Sequence, residues 1–162
     1  MTAASARPAW PVFAGLAAAV VVADQLTKAW LTSAIAPGSA VRVVDDLVRL
    51  VSSQNRGGLF GLLQGNAIVF AVLSIVVVAL IVAYHARSGH DLLLSVALGL
   101  LLGGALGNLI DRIRLGYVVD FVDAGIGDLR WYTFNVADAS ISCAIVLLVI
   151  LAIRPTVRPA AG

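Results

Sequence analysis

Four long apolar segments divide the chain, and stretches richer in polar and glycine residues separate them. A helix needs about 20 apolar residues to cross ~30 Å of hydrocarbon, and each segment approaches that length. Because backbone polar groups in lipid must bond within their own segment, we predict helices rather than strands. The approximate predicted spans are 10–31, 67–84, 92–113 and 134–153.

The connections between the predicted helices differ in length. Residues 85–91 form a tight turn, whereas residues 32–66 and 114–133 are long enough to fold. The predicted fold is an all-α integral membrane protein, a four-transmembrane-helix bundle with a small β-rich loop subdomain. We assign residues 1–162 to this single membrane domain.

The first long loop has the sequence character of strands. The runs Val41–Val44 and Leu47–Val51 are rich in β-branched residues, and Asp45-Asp46 between them marks a turn. These runs predict a small sheet at the membrane surface.

The third apolar segment carries a repeated spacing of small residues. Gly99, Gly103 and Gly107 lie four positions apart and therefore share one helix face. Small residues allow a second helix backbone to approach closely. We predict that this face packs inside a monomer rather than forming a dimer.

Composition supports a membrane protein and excludes a nucleic-acid partner. Hydrophobic residues make up 60% of the chain and charged residues 12%, whereas about 25% of residues are charged in a soluble domain. The net charge is only +2, and no basic run is present. Arginines occur at both ends of the predicted spans, so the charge distribution leaves the orientation in the membrane open.

Two polar groups lie near helix ends. Asp24 and Lys28 are four residues apart and share a face, either as a structural ion pair or as a pair that faces a polar cavity. Asn108, Asp111 and Arg112 also share a face, where Asp111 and Arg112 are expected to compensate each other's charge. This second group is either a structural network or part of a reactive site.

Two shorter features have a structural and a functional interpretation. Asn55 precedes Arg56-Gly57-Gly58, which is either an ordinary loop or a backbone cradle for an extended peptide. His85 and His90 flank the short turn beside Asp91. With no third convergent ligand nearby, we predict a solvated turn rather than a metal site.

Asp120 and Asp138 lie beside apolar runs without local ion partners. No basic residue occurs within five positions of Asp120, and none follows Asp138 before Arg154. Carboxylates at the edge of lipid are costly, and two that face each other share a proton. One carboxylate could then activate water while the protonated one assists the leaving amine. A proton relay and a structural pair are the alternatives.

Five motifs, in chain order, resemble the lipoprotein signal peptidase family, also called signal peptidase II. The motifs are Asp24–Lys28, Asn55–Phe60, Gly103–Arg112, Gly116–Asp123 and Phe134–Asp138. The chain departs from the family pattern at Leu59, where the family often has Ala.

The resemblance implies an aspartic endopeptidase of the bacterial plasma (inner) membrane. Its substrates would be prolipoproteins that carry diacylglycerol on a cysteine, cut before that cysteine to release the signal peptide. The resemblance also implies cytoplasmic termini, extracytoplasmic long loops, an active site near the outer face, no metal or other cofactor, and inhibition by globomycin. The partners expected are these substrates and membrane lipid, with the chain as a monomer.

The family pattern assigns roles to individual positions. It places the catalytic pair on Asp120 and Asp138. Asp123 matches the motif but not a functional role, and we interpret it as a solvated or capping residue. Dyad support or substrate binding would fall on Asp24, Lys28, Asn55, Asn108, Asp111, Arg112 and Asn135. The alternative function is a small proton-coupled membrane transporter, for which intramembrane acids and close helix packing are also typical.

Overall fold

The structure is a computed structural model that describes residues 9–57, 67–88 and 91–153. Within these residues, four helices are long and apolar enough to span a membrane, which confirms the predicted number. Each end lies within about one turn of its predicted position. The helices are α1 (Trp10–Ala34), α2 (Ala67–Arg87), α3 (Leu92–Leu115) and α4 (Val136–Ile153).

Local side-chain and backbone features determine where α3 and α4 begin and end. The Asp91 carboxylate accepts the Leu94 N–H at 3.0 Å at the start of α3. Gly116 ends α3 in the left-handed conformation, with φ of 76°. Asn135 caps α4, because its Oδ1 accepts the Asp138 N–H at 2.9 Å. This cap explains why α4 begins two residues later than the sequence predicted.

Helix α3 lies at the centre of the bundle and contacts each of the other three helices. A Cβ atom at Gly103 would lie 2.6 Å from Val20 Cβ of α1, and one at Gly104 would lie 2.5 Å from Ala137 O of α4. The face that carries Gly103 therefore packs within one chain, as predicted, and allows α1 to approach α3 closely. Gly104, which lies outside that face, allows α4 to approach α3.

We expect Gly104→Ala to destabilise the bundle by about 1–3 kcal/mol, because overpacking forces the backbone to shift. The new methyl group would meet the Ala137 carbonyl, which cannot rotate away as a flexible side chain can. The measurement is the thermal unfolding midpoint in detergent. Gly15→Ala is the matched control, because nothing lies within 4 Å of that position. Equal midpoints for the two variants would contradict this account of the packing.

A small antiparallel sheet covers one end of the bundle. Its strands are β1 (Ala40–Val44), β2 (Val48–Asn55), β3 (Val118–Ile126) and β4 (Leu129–Arg130), in that order across the sheet. The predicted strands of the first long loop are confirmed. The sheet extends beyond these predicted strands, because β3 and β4 come from the second long loop, where we predicted no strand. Pairing with β2 stabilises β3, and that partner is remote in sequence.

The ladder around Asp120 is irregular. Ser53 pairs with Asp120 and Leu50 with Val122, so the register of β2 shifts between these pairs. On the other side of β3, the N–H groups of Phe121 and Val122 both donate to the Phe134 carbonyl, at 3.0 and 2.8 Å. These two bonds hold β3 against the residues that lead into α4.

The sheet rests on the carboxyl-terminal end of α1. Leu31 and Ile35 form a buried cluster with Phe121, and Leu50 and Val122 pack against it. The apolar contact places β3 over the end of the bundle where α1 and α3 finish and α4 begins.

Candidate active site

Asn135 connects Asp120 and Asp138. Its Nδ2 donates to Asp120 Oδ1 at 2.7 Å. Its Oδ1 accepts the Asp138 N–H at 2.9 Å, and its own N–H donates to Asp138 Oδ2 at 3.3 Å. The last two bonds form a reciprocal capping arrangement at the start of α4. One side chain therefore positions both carboxylates, which lie on different elements.

Neutral amides bind the remaining oxygens of the pair. Asn55 Nδ2 donates to Asp120 Oδ2 at 3.0 Å, and Asn108 Nδ2 donates to Asp138 Oδ1 at 2.7 Å. In the part of the chain that the structure describes, neither carboxylate forms an ion pair. The two acids are thus fixed by hydrogen bonds without being neutralised by a cation.

The environment of Asp120 favours its protonated form. Burial, followed by the negative charge of Asp138, raises the pKa of Asp120 to about 7. Hydrogen bonds from Asn55 and Asn135 oppose this shift, because they stabilise the ionised carboxylate. The pair can therefore hold one proton near neutral pH.

Lys28 is buried between two carboxylates. Its Nζ lies 2.8 Å from Asp24 Oδ2 and 2.8 Å from Asp111 Oδ2, and it donates to Asn108 Oδ1 at 3.2 Å. Asp24 and Lys28 therefore form the buried ion pair that their spacing indicated, and it also includes Asp111. The expected pairing of Asp111 with Arg112 is wrong, since Lys28 from α1 neutralises Asp111 instead. Buried charges require such pairing.

The same two carboxylates also bind backbone beside the catalytic candidates. Asp24 Oδ1 accepts the Ala137 N–H at 3.0 Å, and Asp111 Oδ2 accepts the Val119 N–H at 3.0 Å. Ala137 and Val119 each precede one of the paired acids in the chain. The Lys28 cluster, defined as Asp24, Lys28 and Asp111, thus fixes the backbone on which both acids are carried.

The signal peptidase II family model, Peptidase_A8, matches residues 16–154. The chain belongs to the signal peptidase II family. It is similar to the lipoprotein signal peptidase of Syntrophomonas wolfei, with 39% identity over 132 residues, which cover 82% of this chain and 86% of that protein. Its identity to the lipoprotein signal peptidase of Geobacillus kaustophilus is 40% over 134 residues, covering 82% and 87%.

A solved structure agrees with the family match. The chain is similar to a bacterial membrane enzyme with a TM-score of 0.88 and 29% identity, covering 99% of both chains. Membership of the signal peptidase II family makes this chain a peptidase and a multi-pass bacterial membrane protein. The family match also decides against the proton-coupled transporter.

A cavity of about 230 Å³ opens beside Asp120. Asp138 does not line it, so the cavity reaches the pair from the sheet side. The residues that line it with Asp120 are Ser53, Gln54, Asn55, Arg56, Tyr132 and Thr133. Polar side chains and the end of β2 thus surround the approach to Asp120.

Asn55 forms a turn as well as binding Asp120. Its Oδ1 accepts the Gly57 N–H at 3.1 Å, which leaves Nδ2 directed at the Asp120 carboxylate. The last residue of the predicted cradle, Gly58, lies outside the described residues, as do Leu59 and Phe60 of the family motif.

Arg112 lies near the acids but is held mainly by uncharged groups. Its Nη1 donates to the Asn108 carbonyl at 3.3 Å, and its guanidinium lies 5.5 Å from the centre of the Phe70 ring. Among the described residues it forms no ion pair. Its guanidinium therefore has N–H donors beyond this single described bond.

Gln25 is a site residue that the sequence analysis missed. Its Nε2 donates to Asp111 Oδ1 at 2.9 Å and lies 3.2 Å from Asp24 Oδ2. The residue lies inside the Asp24–Lys28 motif, which was the available signal. Helical spacing alone assigned it no partner, because its partners on α3 are distant in sequence.

The prediction of a solvated turn at His85 needs correction. His85 is not part of a solvated turn: it is buried, stacks on Phe13 with ring centres 4.0 Å apart, and has Nε2 3.1 Å from Ser95 Oγ. The aromatic contact explains its burial at the end of α2. His90 lies outside the described residues. Among the described residues, no three potential ligands group to hold a metal.

Asp123 is structural rather than solvated or capping. Its carboxylate lies 2.7 Å from Arg49 Nη2 and accepts from Arg130 Nε at 2.9 Å. These contacts, with Arg130 the stronger, hold the pKa of Asp123 below its usual value despite partial burial. The residue therefore connects β2, β3 and β4.

Proposed function

We propose that this protein is an aspartic endopeptidase that removes signal peptides from prolipoproteins, with Asp120 and Asp138 as the catalytic pair. The observation that carries the assignment is the double role of Asn135, which binds both carboxylates. The substrate class follows from the relatives, which are lipoprotein signal peptidases. We propose diacylglyceryl-modified prolipoproteins, cut immediately before the modified cysteine.

The chemistry needs one ionised and one protonated carboxyl group. The ionised group takes a proton from water, and the water oxygen attacks the scissile carbonyl carbon. The protonated group donates a hydrogen bond to the carbonyl oxygen and later gives a proton to the leaving nitrogen. A pKa of about 7 for Asp120 supports this division, because one proton then remains on the pair near neutrality.

The other residues of the site act on the pair or on the substrate. Lys28, Asp24 and Asp111 hold the backbone under the two acids, and Asn108 binds Asp138 directly. Asn55 lies at the cavity and binds Asp120. We assign Arg112 to the binding of substrate carbonyl groups. Its guanidinium lies near both acids and has N–H donors beyond the one that bonds to the Asn108 carbonyl.

We also propose an orientation in the membrane. The sheet and both acids lie at the end of the bundle where α1 and α3 finish. This end is assigned to the outer face of the plasma membrane, which leaves both termini cytoplasmic. The protein acts as a monomer with lipid around its helices. Cyclic peptide inhibitors of the globomycin type would occupy the cavity beside Asp120.

The direct test is cleavage of a synthetic precursor peptide by the purified protein in lipid nanodiscs. We expect mass spectrometry to show one cut, immediately before the cysteine, only when that cysteine carries diacylglycerol. The same peptide without the lipid is the control. Cleavage at another bond, or no cleavage of the modified peptide, would contradict the proposal.

We expect the cleavage rate to fall as pH rises above about 7, because the shared proton is then lost from the pair. Asn55→Leu should move this decline in rate to higher pH. The substitution removes a hydrogen bond that favours ionised Asp120, so the pKa of Asp120 rises further. The measurement is the pH at half-maximal rate, which does not depend on the lower overall rate of the variant. Asp128→Asn, in an exposed turn, should leave the pH at half-maximal rate unchanged. A shift to lower pH in Asn55→Leu would refute the mechanism.

A further inference from the structure

A second cavity, of about 280 Å³, opens at the end of the bundle opposite the sheet. It lies where α2 ends, α3 begins and α4 ends. This Asp91 cavity combines an apolar lining with a carboxylate and a phenol, and is defined as Tyr84, Asp91, Leu94, Leu148, Leu151 and Ala152. None of these residues belongs to the candidate active site.

The Asp91 cavity lies on the side of α2 that faces α4. On the other side, α2 is closed against α1: His85 stacks on Phe13, and Ile81 shares a buried cluster with Phe13 and Ala17. The cavity is lined by residues of α2, α3 and α4, and both α2 and α4 pack on α3. The side of the bundle between α2 and α4 is therefore the open one at this end.

The same two helices flank the active site at the sheet end of α3. Arg112 lies 5.5 Å from the Phe70 ring of α2, and Asp138 lies in the first turn of α4. Asp91 precedes the first residue of α3 at the opposite end. Helix α3 has 24 residues, so roughly 36 Å separates its two ends at about 1.5 Å per residue.

Asp91 places one unneutralised negative charge at its cavity. Its Oδ1 accepts the Leu94 N–H, and among the described residues its carboxylate forms no ion pair. Arg87, of the same turn, donates instead to the Ala83 carbonyl at 3.1 Å. The described segments that reach this end contain no other acidic residue, namely 10–23, 67–88 and 139–153. A cation that enters the cavity therefore meets this carboxylate alone.

A signal peptide carries complementary groups at the corresponding spacing. It begins with a positively charged n-region, continues with an apolar region of about 7–15 residues and ends at the cleavage site. A helix of about 20 residues spans ~30 Å. When the cleavage site lies at Asp120 and Asp138, the n-region therefore falls near the opposite end of the bundle. This is also the end that the proposed orientation places at the cytoplasm.

We propose that the Asp91 cavity binds the positively charged n-region of the substrate's signal peptide. The inference rests on the proposed function. A lysine stem can lie along Leu94 and Leu148 while its ammonium group reaches the Asp91 carboxylate. Tyr84, which is 58% exposed, offers the face of its ring to the same cation. The protein then holds the signal peptide at both ends, which fixes the position of the cleavage site relative to the paired acids.

The test measures peptide binding rather than turnover. The protein carries Asp120→Asn, which keeps the bound peptide intact, and is placed in phosphatidylcholine vesicles, whose surface lacks the negative potential that attracts basic peptides. Two dansyl-labelled diacylglyceryl precursor peptides differ only in the n-region, where one has lysines and the other glutamines. Energy transfer from the tryptophans of the protein to the dansyl group gives each dissociation constant.

We expect the lysine peptide to bind about 2–5-fold more tightly, as an exposed ion pair allows. Adding Asp91→Asn should remove this difference without weakening the glutamine peptide, because Asn also caps a helix. Asp91→Ser is a second uncharged capping variant if Asp91→Asn folds poorly. Asp128→Asn, in an exposed turn at the sheet end, is the matched control and should preserve the difference.

A difference that survives in Asp91→Asn would overturn the inference, and so would equal binding of both peptides when Asp91 is present. An equal loss of affinity for both peptides in Asp91→Asn would also overturn it, since the cavity would then serve another occupant such as a lipid. A protein that cleaves the precursor but shows no such coupling loses this inference alone. Failure to bind either peptide would contradict the proposed substrate as well.

Discussion

Asp120→Asn and Asp138→Asn are each expected to lower the cleavage rate by about 10²–10⁴-fold, the range typical for removal of a general acid or base. Asn keeps the shape of the side chain but neither holds nor accepts the transferred proton. Because the two acids share one proton, they act as a unit. We therefore expect the double variant to be about as slow as the slower single variant.

The measurement is initial cleavage rate on the diacylglyceryl precursor, at the pH optimum of the unmodified protein. Asp128→Asn is the matched control, since Asp128 is an exposed aspartate of the turn beside β3. It should cleave normally. Unchanged thermal midpoints in all three variants would separate lost chemistry from lost folding. Near-normal turnover by either dyad variant would remove that residue from the mechanism.

Lys28→Met is expected to lower the free energy of unfolding by about 3–5 kcal/mol, because it leaves two buried carboxylates without their cation. Lys28 is the only lysine of the chain, and its Nζ lies 2.8 Å from both Asp24 and Asp111. The loss should separate α1 from α3 at the end that carries the sheet. Unfolding in detergent by increasing SDS measures the effect.

Removing one of the stranded charges should partly reverse this loss. We expect Lys28→Met with Asp111→Asn to be more stable than Lys28→Met alone, because two like charges no longer face each other. Arg42→Met, which removes a cation from an exposed position on β1, is the control and should unfold near the unmodified protein. If Lys28→Met unfolds at the same SDS concentration as Arg42→Met, the Lys28 cluster does not stabilise the bundle.

The number and position of the helices were predictable, because a span of hydrophobic residues is a local property. Helix caps were also local in origin, as Asn135 and Asp91 illustrate. Strand β3 was not predicted. Its apolar run is interrupted by Asp120, and its ladder forms with β2, whose residues lie far away in the chain.

Sequence reasoning also identified the acids but could not arrange them. Asp120 and Asp138 differ from Asp111 in having no basic residue nearby in the sequence, and this difference can be seen without a structure. The partner of Asp111 was wrongly predicted, because sequence spacing suggested adjacent Arg112 while packing supplied Lys28.

The sequence alone determined a membrane bundle, the approximate ends of its helices and a short set of unusual aspartates. Each of these depends only on residues that are close together in the sequence. Only the tertiary structure decided which groups meet. Asp24, for example, binds the Ala137 N–H across 113 positions, and Asn135 joins acids on a strand and a helix. The physical reason is that hydrogen bonds and ion pairs depend on distances of about 3 Å, which packing of remote segments sets.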